Sequence, residues 1–314
     1  MWAEFKSPFT YFPLHIPYCI MKLSRLLLIA LFILMAADKA IAENHRAGTK
    51  AKLRFGVTAV AVESDLSTHK KLVSLIGKRM GVPVETIYRK SYQEMSSLLE
   101  SNGVDMAFVC GLPYVLDHDK FGLELLVTPV FMDKPQYQSY LIVGAERKAA
   151  ALADLQGRIF AFSDPLSNSG FLVPVYYLSK MGQTPESFFK SYFFTYSHMN
   201  SIEAVASSLA DGAFVDSYVW ELASRSHPEI TSKTKIIYKS DFMPFTPFVV
   251  RPGLNKSIKD KLKGILLSLH TDPEGRDVLN SMVIERFEQL KDSDYNSIRN
   301  VYKAVSLPKT VPSR

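Results

Sequence analysis

Residues 158–182, RIFAFSDPLSNSGFLVPVYYLSKMG, contain a strand, a polar loop and a helix in succession. Residues 158–162 are mostly aromatic and aliphatic and predict a strand. Residues 171–181 predict a helix that ends at Gly182, a residue type that often follows the last helical turn. A strand that leads directly into a helix is the repeating unit of α/β proteins, so this stretch predicts that fold class.

The same alternation extends over most of the chain. Further strands are predicted at 53–57, 84–88, 104–110, 123–130, 139–144, 212–216 and 235–240. Helices or helical turns are predicted at 67–80, 92–101, 112–118, 153–157, from Thr184 onward, and at about 200–210, 217–226, 256–271, 273–285 and 292–304. Because short strands alternate with helices, we expect each sheet to be mainly parallel and flanked by helices.

Two segments, 131–138 and 241–247, each connect one α/β unit to the other. Two crossings predict two lobes that share a double hinge and enclose a cleft. We assign residues 52–134 and 245–314 to lobe 1 and residues 135–244 to lobe 2.

The polar loop Ser163–Gly170 has the composition of an anion-binding site. The first N–H groups of the following helix have no partner within the helix and lie at the positive end of its dipole. Ser167 and Ser169 add hydroxyl donors, and Gly170 allows a ligand to approach the backbone closely. Such a helix start can bind phosphate or carboxylate without a lysine. The alternative is a plain Ser/Asn helix cap, and the P-loop pattern is absent.

Two further polar residues are candidates for the same cleft. His198 follows an aromatic stretch and precedes a predicted helix, where it could donate to a ligand oxygen or have a purely structural role. Asp216 ends a predicted strand and begins a helix, so it is either an N-cap or a cleft residue at the carboxyl end of a strand. A carboxylate beside an anion would favour a ligand that still carries a proton.

Composition excludes several classes of protein. The 314 residues are 47% hydrophobic and 22% charged, which is typical of a folded protein and not of a disordered one. The net charge of +6 is small, and the sequence contains no run of five Lys or Arg residues. The charge pattern therefore does not indicate nucleic-acid binding. Two cysteines, Cys19 and Cys110, exclude a disulfide-rich scaffold and a cysteine zinc site. We therefore expect no metal and no cofactor, and a buried, unpaired thiol at Cys110.

The N-terminal region resembles a secretory signal. Leu26–Ala37 is an uncharged apolar run that is too short to span a bilayer comfortably, and Lys22 and Arg25 precede it. Ala40–Ala42 fits a small-x-small cleavage site, so we predict that residues 1–42 form an extension and signal peptide cleaved after Ala42. Export would place the mature protein, as a soluble molecule, in the periplasm. The alternative is a retained membrane anchor.

Two motifs resemble a known family. DPLSNSGFLVP, residues 164–174, is followed by YSHMNSIEAVASSLADGAFVDSYVWE, residues 196–221. Together they resemble the phosphate-, phosphite- and phosphonate-binding proteins of ABC importers. Supporting matches lie at 104–115, 138–144, 153–162 and 244–250. The resemblance as a whole covers the chain from about Leu53 to Val305. It implies a two-lobed periplasmic binding protein of type II.

The resemblance also implies the ligand-binding residues, which are Ser167, Asn168, Ser169, His198, Tyr137, Tyr92 and Asp216. In the family a Ser-Thr-Ser sequence at the helix start holds the phosphonate oxygens, and here Asn168 replaces the threonine. Two acidic positions that hold the amino group of aminoethylphosphonate in some members are Tyr218 and Thr246 in this chain. This departure argues against an amino-phosphonate ligand.

The function implied by the resemblance is capture of a small phosphorus oxyanion by lobe closure, by a monomer that delivers it to an ABC permease. Three alternatives remain open. The same fold could act as the ligand-sensing component of a membrane signalling system, or it could bind a sulfonate or a pyrimidine precursor. Ser169, His198 and Asp216 have the residue types of a hydrolase triad, but no G-x-S-x-G motif accompanies them.

Overall fold

The structure is a computed structural model that describes residues 52–58 and 66–305, without the side chains of residues 66–68. The predicted leader, residues 1–42, lies outside the described residues. Within them the chain forms thirteen strands: β1 (Leu53–Val57), β2 (Val84–Tyr88), β3 (Met106–Phe108), β4 (Glu124–Val130), β5 (Gln136–Tyr137), β6 (Ser139–Gly144), β7 (Ile159–Phe162), β8 (Ser191–Phe194), β9 (Gly212–Asp216), β10 (Thr234–Lys239), β11 (Met243–Pro244), β12 (Phe248–Val250) and β13 (Arg286–Glu288).

The same residues form eleven α-helices: α1 (Leu66–Met80), α2 (Tyr92–Glu100), α3 (Gly111–Phe121), α4 (Val173–Lys180), α5 (Pro185–Phe188), α6 (His198–Ala206), α7 (Ser217–Ser226), α8 (Pro228–Thr231), α9 (Lys256–Ser268), α10 (Pro273–Ser281) and α11 (Asn296–Ala304). A π-helical turn, Asn168–Leu172, runs directly into α4. Short 3₁₀ turns cover Leu152–Leu155, Leu269–Thr271 and Asp292–Tyr295. None of the helices in the described part of the chain is long and apolar enough to cross a membrane.

Two sheets form the framework of the molecule. The first sheet has the strand order β13-β4-β12-β3-β1-β2, and the second has the order β10-β6-β9-β7-β8. In the segments that run between the sheets, β5 and β11 pair antiparallel, with Met243 opposite Tyr137 and Pro244 opposite Gln136. Both crossings therefore lie side by side, as a double hinge requires.

Both sheets are mixed, although the α/β class and the two-sheet architecture agree with the prediction. Three strands in each sheet are parallel, in the order β2-β1-β3 and β8-β7-β9. The fourth strand of each sheet is the first strand after a crossing from the other sheet, β12 in the first sheet and β6 in the second. Each of these two strands runs antiparallel to both of its neighbours. Four antiparallel pairs thus arise from the two crossings, whose direction local sequence patterns do not specify. The pair β13–β4 at the edge of the first sheet is also antiparallel.

The boundaries of five elements, β1, β2, β6, β9 and α7, are those predicted. The predicted strand at 104–110 is shorter, because only β3 is paired. Strands β5, β8, β11, β12 and β13 were not predicted. The helix expected at 273–285 is α10, which ends earlier, at Ser281. Val283 has a φ of 55°, which is not helical, and the Glu285 N–H donates to the carbonyl oxygen of Val130, the last residue of β4.

Aromatic packing fixes the strands that reach the cleft from the second sheet. Phe160 on β7 stacks on Phe189 at 4.3 Å between ring centroids, and Phe162 lies edge-on to Phe189 and Phe171. Phe214 on β9 belongs to the same buried cluster. Rings of this size dominate burial energetics, so the carboxyl ends of β7 and β9 are held by a rigid core.

Candidate ligand-binding site

The site is built at the carboxyl ends of the parallel strands, where open α/β sheets bind ligands. The loop after β7 ends at Ser167, which is the N-cap of the π turn and accepts the Gly170 N–H at 3.0 Å. Leu172 N donates to Ser167 O at 2.9 Å, the spacing of a π turn. The helix therefore begins at Asn168, three residues before the predicted start, and π turns of this kind are frequent at functional sites.

Asn168 joins the helix start to the other side of the cleft. Its backbone N–H donates to Cys110 Sγ at 3.3 Å. Its side-chain Nδ2 donates to Tyr137 Oη at 2.9 Å and lies 3.2 Å from Met243 Sδ, so it contacts both crossing segments. Its Oδ1 is buried and finds no hydrogen-bond partner in the described chain. The residue that departs from the family's Ser-Thr-Ser pattern is thus a contact between the two sheets.

Ser169 places a hydroxyl group in the closed site. Its carbonyl oxygen accepts a hydrogen bond from Ser139 Oγ at 2.7 Å, and Ser139 pairs with Asp216 across β6 and β9. Its own Oγ is buried near the Tyr137 hydroxyl group and makes no hydrogen bond of normal length among residues 52–58 and 66–305. A buried hydroxyl without a partner is costly, so this group is a strong candidate for a ligand contact.

Gly170 makes room for the protein's own side chains. A Cβ atom at this position would lie 2.0 Å from Ser163 Oγ and 3.0 Å from His198 Cε1. The space that the sequence suggested for close approach of a ligand is therefore filled by these two residues. A glycine is required here because the loop after β7 and the start of α6 pack together.

His198, the first residue of α6, is a neutral hydrogen-bond donor. Its Nδ1 accepts the backbone N–H of Asp216 at 3.1 Å, and an amide N–H can only donate. The ring proton therefore lies on Nε2, which is 3.4 Å from Ser167 Oγ. Burial lowers the pKa of His198 to about 3, since the cation would be desolvated. His198 offers a hydrogen bond and no positive charge.

Asp216 is confirmed as the N-cap of α7. Its Oδ1 accepts the Tyr218 N–H at 2.8 Å, and the residue is only 1% exposed. Burial raises the pKa of Asp216 to about 7, although backbone N–H groups of Tyr218 and Val219 act in the opposite direction. The carboxyl group is therefore poised between its neutral and ionised forms near neutral pH.

The two predicted tyrosines approach from the other side. Tyr92 begins α2 after the Ser91–Glu94 capping box, and its N–H donates to Asp164 Oδ2 at 3.1 Å across the cleft. Tyr92 Oη is buried without a protein partner in the described residues, whereas Tyr137 Oη accepts from Asn168. Burial raises the pKa of the Tyr92 and Tyr137 phenols well above the usual value, and nearby acidic groups raise it further. Both phenols therefore stay neutral.

All seven predicted site residues are 2% exposed or less, and the contacts described above link them into one cluster. Several helix starts border this cluster, those of α2, α6, α7 and the π turn before α4. Each contributes the positive end of a helix dipole. The electrostatics of the cluster therefore suit an anion, although no basic side chain belongs to it. No group of side chains in the described ranges could hold a metal ion.

Sequence reasoning missed several residues at this site. Asp164 accepts N–H groups of Tyr92 and Leu166, and burial raises its pKa to about 6. Cys110 is buried and free, as predicted, but its Sγ also accepts from Asn168, and burial raises its pKa to about 12. The signal that could have identified both is their position directly after β7 and near the end of β3.

Thr58 and Thr246 were missed as well. Val57 pairs with Phe108, which pairs with Phe248, so the register brings the residues beyond these strand ends to one edge of the first sheet. Both threonine hydroxyl groups are buried, with no partner among the described residues. The sequence analysis considered Thr246 only as a departure from acidic family members.

The fold is that of a two-sheet periplasmic binding protein of type II, and it encloses the cluster of donors described above. Residues 55–295 match the family described as ABC transporter, phosphonate, periplasmic substrate-binding protein, and the chain belongs to this family. It is 27% identical over 263 residues to the phosphonates-binding periplasmic protein of Escherichia coli K12, a match that covers 82% of this chain and 78% of that protein.

Solved structures support the same assignment. A binding protein component of an ABC phosphonate transporter from Pseudomonas aeruginosa superposes with a TM-score of 0.76 and 25% identity, covering 81% of this chain and 86% of that one. PhnD1 from Prochlorococcus marinus in complex with methylphosphonate gives a TM-score of 0.73 at 19% identity, covering 80% and 97%. The second likeness shows the shared fold alone.

Proposed function

We propose that this protein captures a small phosphorus oxyanion, a phosphonate, phosphite or phosphate, and delivers it to the permease of an ABC transporter. Family membership and the ligands named for its relatives support this proposal. The observation that carries it is a set of buried hydroxyl groups that have no hydrogen-bond partner in the described residues, those of Ser169, Tyr92 and Thr246. A ligand with several oxygen atoms would satisfy them together.

Neutral groups would bind the anion. Ser167 Oγ already receives the Gly170 N–H and faces His198 Nε2, so its own proton is available for a ligand oxygen. Ser169 and Tyr92 would add two further O–H donors. Hydrogen bonds to a charged acceptor are roughly twice as strong as neutral ones, and a buried site of low dielectric constant strengthens them further. The site therefore needs no lysine or arginine.

Two acceptors would distinguish among oxyanions. Asn168 Oδ1 is buried without a partner in the described chain. Asp216 belongs to the same cluster, since its backbone N–H donates to His198 Nδ1, and its carboxyl group is buried at the cap of α7. Both can accept a hydrogen bond from a ligand O–H. A fully deprotonated anion of the same shape has no such proton, so its oxygen atoms would face the lone pairs of these two acceptors and be repelled. We infer that the ligand carries a proton when bound, as phosphite, phosphate and phosphonate monoanions do.

Binding would require two lobes to separate and close. The site residues are 2% exposed or less, so a ligand cannot enter the structure as it stands. The predicted division, with residues 52–134 and 245–314 in lobe 1 and 135–244 in lobe 2, places the paired strands β5 and β11 at the hinge. We further propose that the mature protein is an exported, soluble monomer without cofactor.

Catalysis is not part of the proposed function. A hydrolase triad needs a histidine whose Nε2 accepts the serine proton and whose Nδ1–H is held by a carboxylate. Here His198 Nδ1 accepts a backbone N–H, so Nε2 already carries the proton. The serine beside it is Ser167, at 3.4 Å. This arrangement can donate to a ligand but cannot activate a nucleophile.

A thermal-shift screen tests the proposal. The ligands are phosphate, phosphite, methylphosphonate and aminoethylphosphonate, with sulfate and methanesulfonate as controls. A ligand present at 100 times its dissociation constant stabilises the folded protein by about 2.7 kcal/mol. We expect a clear rise in melting temperature with at least one of phosphate, phosphite and methylphosphonate, and less with aminoethylphosphonate, since Tyr218 and Thr246 offer no carboxylate. No shift with any phosphorus oxyanion would contradict the proposal.

A further inference from the structure

Tyr218 makes a hydrogen bond that spans the cleft. It is the second residue of α7, on the side of the second sheet, and its side chain is fully buried. Its Oη donates to the backbone carbonyl of Met282 at 2.8 Å. Met282 follows α10 and precedes β13, which pairs with β4 in the first sheet. The bond therefore joins elements that the proposed lobe division places on opposite sides.

Aromatic packing at the hinge sets the direction of this hydroxyl group. The Tyr218 ring lies edge-on to Phe131, at 5.5 Å between centroids and 84° between planes, and to Phe245, at 5.3 Å and 69°. Phe131 and Phe245 belong to the two crossing segments and are 6.0 Å apart. Because three rings interlock, the hydroxyl group has little rotational freedom and points to the first-sheet side.

Both ends of the bond are firmly anchored. The Tyr218 N–H donates to Asp216 Oδ1, so the residue moves together with the cap of α7 and with the binding site. The Met282 N–H donates to Val278 O and Leu279 O, which fixes its own carbonyl at the end of α10. A separation of the sheets would break the Tyr218–Met282 bond without disturbing either anchor.

We propose that Tyr218 is a closing latch: its hydroxyl group bonds to Met282 O only after the lobes have closed, and it thereby lengthens the time for which the ligand stays bound. The inference rests on the proposed function, since it requires a ligand that is captured by closure. Tyr218 is a positioning residue in this account, because its hydroxyl group is committed to the protein backbone and not to the ligand.

The test is Tyr218→Phe, which removes one oxygen atom and keeps the ring packing. Stopped-flow measurements with methylphosphonate and with phosphite as probes should show an unchanged association rate constant and a dissociation rate constant about fivefold higher, the effect of one neutral hydrogen bond. The melting temperature of the ligand-free protein should not change, because the open form lacks the bond.

The matched control is Tyr114→Phe. Tyr114 is also buried, and its hydroxyl group donates to Asp292 Oδ1 at 2.8 Å on the first-sheet side alone. This variant should lower the melting temperature of the ligand-free protein and leave the dissociation rate constant unchanged. The opposite responses of the two variants would separate a latch from an ordinary structural hydrogen bond.

Two results would overturn the latch, and they are distinguishable. If the wild-type protein binds a probe and Tyr218→Phe releases it at the wild-type rate, the latch is wrong and the proposed function stands. If the wild-type protein binds neither methylphosphonate nor phosphite in the same measurement, the proposed function fails for these ligands and the latch fails with it.

Discussion

The two sides of the cleft differ in how their polar groups are held. On the second-sheet side, Ser167, His198 and Asp216 are fixed by hydrogen bonds to one another and to backbone N–H groups. On the first-sheet side, the hydroxyl groups of Tyr92 and Thr246 are buried without a partner in the described chain. The Ser169 hydroxyl group and Asn168 Oδ1 also lack a partner in the described residues, but on the second-sheet side they lie within a bonded framework. We infer that this framework is organised before the ligand arrives and that the first-sheet side completes the site when it closes.

The organised side should depend on pH through Asp216, and this is the largest effect that we expect. The pKa of Asp216 is raised from 3.8 to about 7, so the folded state favours the protonated form. Its contribution to stability is fully present below pH 4 and is lost as the pH rises through about 7. The contribution is at most on the order of 4 kcal/mol, the value for the closed form, because an open ligand-free form would expose part of this carboxyl group.

Chemical denaturation of the ligand-free wild type and of Asp216→Asn between pH 4 and 8 measures this effect. The wild type should lose stability relative to the variant as the pH rises. Asp164 and His198 also have shifted pKa values, but they are present in both proteins and cancel in the difference. Parallel curves for the two proteins would show that Asp216 is not held in its protonated form.

Replacing His198 should lower both the stability of the folded protein and its affinity for an oxyanion. His198→Ala removes the acceptor of the Asp216 N–H and the donor at Nε2. We expect a loss of about 1–3 kcal/mol in unfolding free energy, and a weakening of oxyanion binding by roughly 10- to 100-fold. Denaturation and calorimetry measure the two quantities, with exposed His270→Ala as the control. Wild-type affinity would exclude His198 from the site.

Ser169 should affect binding alone. Its hydroxyl group has no protein partner in the described residues, so Ser169→Ala should leave the unfolding free energy of the ligand-free protein unchanged. Loss of a hydrogen bond to a charged oxygen should weaken binding at least tenfold. Calorimetry compares this variant with Ser179→Ala, on the exposed side of α4. A loss of stability without a loss of affinity would place Ser169 in the framework and not in the site.

The closing side should contribute least. Tyr92→Phe keeps the buried ring and the backbone bond to Asp164, and removes only the hydroxyl group without a partner. We expect a few-fold loss of affinity, about 1 kcal/mol, because part of this bond offsets the cost of ordering the closed form. Tyr192→Phe, whose hydroxyl group bonds to Glu186 at the surface, is the control for the calorimetric comparison. A loss of affinity larger than that of Ser169→Ala would show that the first-sheet side contributes more to binding than the second-sheet side, contrary to our expectation.

The elements set by local patterns were predictable, and the contacts between distant residues were not. Periodicity and capping gave β1, α2 and α7, since strand alternation and the Ser91–Glu94 box act within a few residues. The predicted site residues do meet in one cluster. The bonds of Asn168 to Cys110 and of Tyr218 to Met282 could not be predicted, because they depend on how the two sheets face each other.

The central claim is that this cleft binds a proton-carrying phosphorus oxyanion with neutral donors. Titration calorimetry with methylphosphonate and methanesulfonate, near neutral pH, tests it most directly because the two anions have nearly the same shape. We expect saturable binding of methylphosphonate at one site per chain and little or no heat with methanesulfonate. Equal binding of both anions, or binding of the sulfonate alone, would contradict it.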